Sequence, residues 1–230
     1  MPSPSASNRR VRSNQFLRDN GLSIVLLSAF LASLVGQALT GWQVERSEAL
    51  QHGLAAPGLG AYLTSGPFLS ALFENWESEF LQMGAYVVLT AILFQRGSAE
   101  SRDPDEPEDQ RDNASHSDRH APWAARAGGW VTAVYARSLG IALFVLFALS
   151  GMLHLWASRA AQAEEAARHG KPAPTLSEHV TDAQFWFESF QNWQSEFLST
   201  AVLVLLAIVL RQRGSPESKP VAAPHEQTGS

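Results

Sequence analysis

Four uncharged apolar blocks alternate with polar segments along this chain of 230 residues. They cover residues 22–42, 80–94, 138–157 and 197–210, and none contains Asp, Glu, Lys or Arg. A hydrocarbon core of about 30 Å requires about 20 helical residues. The first and third blocks meet this length alone, whereas the others need the preceding residues 75–79 and 192–196. The pattern predicts an all-α protein with four transmembrane helices, at about 22–42, 75–94, 138–157 and 192–210.

A motif that leads into two of these blocks indicates that the chain is duplicated. Asn-Trp-x-Ser-Glu-Phe-Leu occurs at residues 75–81 and again at 192–198, which is 117 positions later. The same offset aligns His52-Gly53 with His169-Gly170 and residues 95–98 with 212–215, without a gap. We therefore expect a tandem duplication of a two-helix unit, with repeats at residues 16–96 and 130–213.

Each repeat carries helical features outside its spans. The helical pattern continues beyond the first span to Gly53 and Gly170, where a left-handed glycine can end a helix. We expect these extensions to project into the periplasm. Apolar residues at spacings of three and four over residues 68–76 predict an amphipathic interfacial helix before the second span.

The remaining segments are polar, and we expect them to be disordered: an arm at 1–15, a linker at 97–129 and a tail at 214–230. Thirteen of the 17 Lys and Arg residues lie in these three segments or at the helix ends next to them, on one side of the predicted membrane. The positive-inside rule then makes both termini and the linker cytoplasmic. A cleaved signal peptide is the rival interpretation of the first block. The internal copy of that block at 138–157 argues against it.

Composition narrows the function classes. The chain has no cysteine, so it has no disulfide framework and no thiolate chemistry. No basic face interleaved with aromatic residues is present, and we expect no nucleic-acid partner. No phosphate-binding glycine loop, nucleophile elbow or His-Glu-x-x-His motif occurs, so no enzymatic motif supports catalysis. We predict no catalytic residue, no cofactor and no metal.

Polar side chains within the predicted helices are the best candidates for a site, because polar groups at lipid depth must face protein. Eight are expected to gather in the outer half of the helices: Ser33, Gln37, Asn75, Glu79, Ser150, His154, Asn192 and Glu196. Four tryptophans are expected to anchor the interfaces: Trp42, Trp76, Trp156 and Trp193. Gln191 and Gln194 replace Glu74 and Glu77 in the second copy, which makes Glu79 and Glu196 the less replaceable acids.

Two functions are open for these residues, of which a non-enzymatic structural or interaction role is the leading hypothesis and transport is the alternative. Paired Glu79 and Glu196 with His154 would suit a small proton- or cation-coupled transporter or channel. Alternatively each Glu extends to interfacial water beside a Trp, and the pairs only fix helix packing in a structural or interaction protein. A membrane-embedded enzyme is a third possibility. Other histidines are weaker candidates: His52 and His169 suit helix C-termini, and His116 and His120 suit a solvated linker.

Several stretches resemble an uncharacterised bacterial integral membrane protein family, domain of unknown function 6766. They are residues 21–23, 35–37, 62–66, 75–81 and 95–98. The resemblance implies a multi-pass protein of the bacterial inner membrane, and it carries no known activity or cofactor. The expected partners are the lipid bilayer and either a second copy of the chain or another membrane protein.

Overall fold

The structure is a computed structural model that describes residues 6–105 and 120–229, with side chains from residue 15 onward. Every regular element in these two ranges is an α-helix. The chain divides into two compact units, Met1–Phe68 and Leu69–Ser230. The helices are α1 Ala6–Gln51, α2 Leu59–Leu63, α3 Gly66–Ile92, α4 Trp123–Arg126, α5 Gly129–Tyr135, α6 Ser138–Arg168, α7 Leu176–Val180 and α8 Ala183–Val209.

Three of the described helices are long and apolar enough to cross a membrane: Gln15–Gln51 within α1, Ser138–Arg168 and Ala183–Val209. They contain the spans predicted at 22–42 and 138–157, and all but the last residue of the span predicted at 192–210. The span predicted at 75–94 falls mostly in α3, which is not among the three. Glu77, Glu79 and Gln82 lower the apolar character of any stretch of α3 long enough to cross. The fourth span stays a prediction.

In the first unit α1 is 46 residues long, or about 69 Å. It ends where the glycine pattern predicts, because Gly53 has a φ of +68° and the Leu54 amide donates to the Ala49 carbonyl at 2.8 Å. The indole N–H of Trp42 donates to the Pro57 carbonyl at 2.8 Å, which fixes the loop against α1. In the second unit α6 ends in the same way before Gly170, whose φ is +65°. Both predicted helix ends are confirmed.

The first long helix starts within the segment 1–15, for which we predict disorder, and that disorder stays a prediction. Helix α1 already begins at Ala6. No Pro or Gly lies between residues 6 and 20 to interrupt the helical hydrogen bonds. Residues 1–5 lie outside the described residues.

The interfacial helix predicted over residues 68–76 is not a separate element. Gly66–Ile92 is one continuous helix, and so is Ala183–Val209, which lies 117 positions later. No proline follows Pro67 within α3, so the backbone hydrogen bonds run from the amphipathic segment into the apolar one. The separate short helices are α2 and α7, which precede these long helices.

Helices α3 and α6 pack closely because two glycines remove side chains from their contact. A Cβ on Gly84 would lie 3.4 Å from the Cβ of Leu143, and a Cβ on Gly140 would lie 3.3 Å from Val88 Cγ2. Small residues at such contacts allow helix backbones to approach within a membrane. The result is a tight α3–α6 pair.

The described parts of the linker and tail hold a network of contacts around Lys219, and the disorder expected of these segments stays a prediction. The Lys219 side chain is only 1% exposed, and its ammonium donates to the carbonyls of Gly97 at 2.5 Å and of His225 and Gln227 at 2.9 Å. Burial lowers the pKa of Lys219, and nearby Arg211 adds to this effect. These carbonyls come from the linker and the tail, so one ammonium joins the two segments. Residues 106–119 and Ser230 lie outside the described residues.

The other described end of the linker is also structured. Helix α4 falls within it, and the hydroxyl of Thr132 on α5 donates to the carbonyls of Ala124 and Ala125 at 3.0 and 3.2 Å. The Gly128 amide donates back to that hydroxyl at 2.9 Å. One threonine therefore holds α4 against the start of α5.

Replacing Gly84 by Leu is expected to destabilise the protein by about 1–3 kcal/mol, because the new side chain meets Leu143 Cβ, which cannot move without its backbone. Thermal unfolding in detergent measures the change. Gly36→Leu is the control, because a Cβ on Gly36 meets nothing within 4 Å. Equal unfolding temperatures for the two variants would contradict the proposed close packing.

Replacing Lys219 by Met is expected to release the tail, because Met fills similar space but donates no hydrogen bond to the three carbonyls. A glutamate-specific protease should then cleave after Glu217 and Glu226 several times faster. The chain has one other lysine, Lys171, which is exposed, so Lys171→Met is the matched control. Unchanged cleavage of the Lys219→Met protein would mean that the ammonium does not hold the tail.

Candidate functional site

A buried acid–base pair joins α3 to α6. A carboxylate oxygen of Glu77 lies 2.7 Å from Nδ1 of His154. His154 is fully buried and Glu77 is 5% exposed. Removing ionisable groups from water is costly unless they pair and hydrogen-bond. The pair therefore fixes the facing sides of the two helices at this level.

Two further carboxylates surround the same histidine. Glu74 lies one turn before Glu77 on α3, and Glu188 projects from α8. One ligand atom from each of Glu74, His154 and Glu188 lies within 4.8 Å of the other two. We call Glu74, Glu77, His154 and Glu188 the acid–histidine cluster. It gathers three acids and one imidazole from three helices.

Glu74 is held by a neighbour on α8. The side-chain amide of Asn192 donates a short hydrogen bond to its Oε1. Asn192 lies four residues after Glu188, so the two side chains share one face of α8. This contact leaves Oε2 of Glu74 for other partners.

The second ring nitrogen of His154 has no partner within the described residues. Its Nε2 is buried and makes no hydrogen bond. The Phe185 ring packs against the imidazole with a centroid distance of 5.1 Å. A buried polar atom without a partner typically costs about 1–3 kcal/mol, so this nitrogen is a strong marker for a bound ligand or proton.

A second buried histidine flanks Phe185. His179 on α7 packs on that ring at 5.3 Å, and its Nδ1 lies 2.8 Å from the side-chain oxygen of Gln162. Gln162 in turn donates to Asp182 at 2.6 Å. Burial lowers the pKa of His179, against the opposing effect of Asp182. The neutral imidazole is therefore favoured there.

Only part of the cluster predicted from sequence meets in the structure. His154 is a member of the acid–histidine cluster, and Asn192 contacts the cluster through Glu74. Nδ1 of His154 pairs with Glu77 and not with Glu79 or Glu196. Glu79 is exposed and lies close enough to Glu196 for the two carboxylates to repel.

The other predicted polar residues bond to their own helices or lie in the first unit. Ser150 is buried and donates to the Leu146 carbonyl at 2.8 Å, and Asn75 is exposed and donates to the Ala71 carbonyl at 2.6 Å. Ser33 is exposed and Gln37 is half-buried on α1. A serine or asparagine that bonds one turn back satisfies itself locally. The bonds of Ser150 and Asn75 therefore run within their own helices and not to the acid–histidine cluster.

The four tryptophans have different surroundings. Trp156 is 58% exposed, and Trp42 bonds the Pro57 carbonyl. Trp76 packs edge-on against Phe73 at 5.7 Å. Trp193 packs against Phe190 at 5.4 Å, and its indole N–H is buried without a hydrogen-bond partner among the described residues. An interfacial anchor places its N–H in water, so the Trp193 surroundings are those of packing instead.

Sequence reasoning overlooked Glu74, Glu77, Glu188, His179 and Phe185. A signal existed for the central pair: where the second copy has His154, the first has Gln37, and where the first has Glu77, the second has Gln194. An acid and a base are thus each replaced by glutamine in the other copy. Considered one position at a time, the Glu-to-Gln changes indicate only that Glu74 and Glu77 are replaceable. Considered together, they indicate a pair.

Comparison with known proteins gives one family. No curated protein and no solved structure matches the chain. The family model described as "Domain of unknown function (DUF6766)" matches residues 13–230. That match spans more than nine-tenths of the sequence, including the acid–histidine cluster and the tail to which Lys219 belongs. The chain therefore belongs to the DUF6766 family.

Proposed function

We propose that the protein is a non-enzymatic, multi-pass protein of the bacterial inner membrane that takes up a proton or a cation at the acid–histidine cluster. It has four spans in two duplicated units, and both termini are cytoplasmic. The cluster then lies towards the periplasmic ends of the helices. Lipid is its main partner, with a second copy or another membrane protein beside it.

Matching local structure supports the duplication. The bounds of α7 and α8 are those of α2 and α3 displaced by 117 residues. Some hydrogen bonds repeat at the same offset: the Gln95 amide bonds Ser101 Oγ, and the Gln212 amide bonds Ser218 Oγ, both at 2.8 Å. Random similarity of two helical hairpins does not produce the same side-chain bonds. A duplicated unit in turn favours α3 as a span, because its counterpart α8 is long and apolar enough to be one.

The observation that carries the proposed activity is the surplus of acids around His154. A structural cross-link between α3 and α6 needs only the Glu77–His154 pair. Glu74 and Glu188 add two half-buried carboxylates beside the one that is already paired, and like charges brought close together are unfavourable. Buried ion pairs are also weak stabilisers compared with apolar residues of similar volume. A role in binding charge explains the surplus, and packing alone does not.

The second candidate is a structural or interaction role, which the 2.7 Å bond between Glu77 and His154 favours. Losing one partner of a buried pair typically costs about 3–5 kcal/mol. Single substitutions therefore cannot separate the two functions. The double variant Glu77→Gln, His154→Gln can separate them, because two glutamines retain a hydrogen bond without charge. The chain itself has Gln194 and Gln37 at the matching positions.

The double variant is expected to keep its thermal stability within about 1 kcal/mol and to lose at least nine-tenths of proton or cation flux. The measurement is dye-reported flux into proteoliposomes after a pH or ion jump. The control is the exposed pair Glu165 and His169, which lie 3.2 Å apart. Glu165→Gln, His169→Gln should leave the flux unchanged. A stable double variant with wild-type flux, or a wild type without flux, would reject the proposed uptake and favour the structural role.

The four-span arrangement predicts the reactivity of introduced cysteines, which the cysteine-free chain reports without background. Ala55→Cys and Ala173→Cys should react with a membrane-impermeant maleimide in spheroplasts. Ala114→Cys in the linker should react only after lysis. Labelling of both Ala55→Cys and Ala114→Cys from outside would mean that α3 does not cross the membrane.

A further inference from the structure

We propose that the acid–histidine cluster binds one divalent first-row transition metal ion through Glu74, His154 and Glu188, with Glu77 as a positioning residue. This inference rests on the proposed function, since it names the class of cation. It departs from the sequence-based expectation that the chain has no metal site. Four features of the cluster support it.

The first is the orientation of the imidazole. Glu77 accepts a hydrogen bond from Nδ1–H of His154 at 2.7 Å in the neutral ring. That tautomer places the free lone pair on Nε2. Metal-binding histidines typically have this arrangement, in which a carboxylate holds the other ring nitrogen. Glu77 therefore prepares Nε2 for a ligand without itself being one.

The second feature is that Nε2 is buried and has no partner among the described residues. His154 is 0% exposed, so water does not reach the ring from outside the fold. Phe185 packs against one face of the ring and supplies no hydrogen-bonding group, so it does not satisfy the in-plane lone pair. A metal ion would satisfy this nitrogen.

The third feature is distance. Ligand atoms of Glu74, His154 and Glu188 lie within 4.8 Å of one another. Nitrogen and oxygen ligands at about 2.1 Å from one ion can be at most about 4.2 Å apart. Side-chain rotations that move the ligand atoms by less than about 1 Å bring them within this distance. Asn192 already holds Oε1 of Glu74, so Oε2 is the expected ligand atom.

The fourth feature is charge. Three carboxylates surround one imidazole within a cluster that α3, α6 and α8 enclose. Like charges held close together are unfavourable. A divalent ion brings two positive charges to these carboxylates and therefore relieves much of their repulsion.

The ligand types select the class of ion. Imidazole suits Zn²⁺, Fe²⁺, Co²⁺ and Ni²⁺, whereas Mg²⁺ and Ca²⁺ prefer oxygen ligands alone. Three protein ligands leave a coordination position for water, which is typical of sites that exchange or use their ion and not of closed structural ones. An exchangeable ion agrees with uptake at the membrane.

One ion per chain is expected. At the positions 117 residues away from the cluster, the chain has Gln37, Ala71, Gln191 and Gln194. None of them can supply a carboxylate or imidazole. The duplicated unit therefore has a single charged cluster and not two equivalent ones.

The test uses the full chain, purified in detergent without a histidine tag and stripped of metal by a chelator. Zn²⁺ is titrated by calorimetry, and Co²⁺ is titrated by its visible absorption. We expect saturation at one ion per chain, with X-ray absorption of the Zn²⁺ form indicating one imidazole and otherwise oxygen ligands. Absence of saturable one-to-one binding by the wild type would overturn the metal site.

Variants separate ligands from the positioning residue. His154→Gln and Glu188→Gln should weaken Zn²⁺ binding at least 100-fold. Glu77→Gln should weaken it about 10- to 100-fold while the stoichiometry stays at one. The exposed-pair variant Glu165→Gln, His169→Gln should bind as the wild type does. Unchanged affinity in His154→Gln protein, in which folding is verified by thermal unfolding without metal, would overturn the assignment.

The outcomes distinguish this inference from the proposed function. Proton flux by metal-free protein that binds no Zn²⁺ would reject the metal site and leave uptake of protons standing. One-to-one Zn²⁺ binding that requires His154, without any proton or cation flux, would support the metal site and contradict uptake across the membrane.

Discussion

The carboxylate of Glu77 and the imidazole of His154 meet 2.7 Å apart, and both residues are buried. Such a contact tolerates little movement, because separation of the helices would leave two ionisable groups buried without partners. It therefore constrains the position of α3 along α6 where the two helices pack. The glycines at 84 and 140 act with it, because they let the two backbones approach closely.

The same constraint organises the residues around it. With Nδ1 of His154 engaged by Glu77, the ring presents an Nε2 that has no partner among the described residues. Glu74 and Glu188 bring ligand atoms to the same imidazole, and Asn192 holds Glu74 in place. A pair that fixes helix packing would thus also prepare the proposed cation site. Structural and binding roles are therefore properties of one cluster and not competing descriptions of separate residues.

The contacts that join the linker to the tail at the ends of the helices have a different cause. Lys219 is buried among carbonyls of the tail and linker, and these bonds join residues that are 122 positions apart. Polar composition predicted disorder for both segments, because neither has enough apolar surface to fold alone. One ammonium surrounded by carbonyls replaces that missing surface with charge-assisted hydrogen bonds. Amino-acid composition indicates how much apolar surface a segment can bury, and it does not indicate hydrogen bonds of this kind.

The sequence by itself determined the helical class, three of the long apolar helices and the glycines that end α1 and α6, because periodicity and capping are local properties. It also brought His154 and Asn192 into the candidate set. Only the tertiary structure decided which acid faces His154, since Glu77 and Glu79 are two residues apart and lie on different sides of α3. Helix rotation and crossing set that choice, and both depend on contacts between distant segments that no local pattern contains.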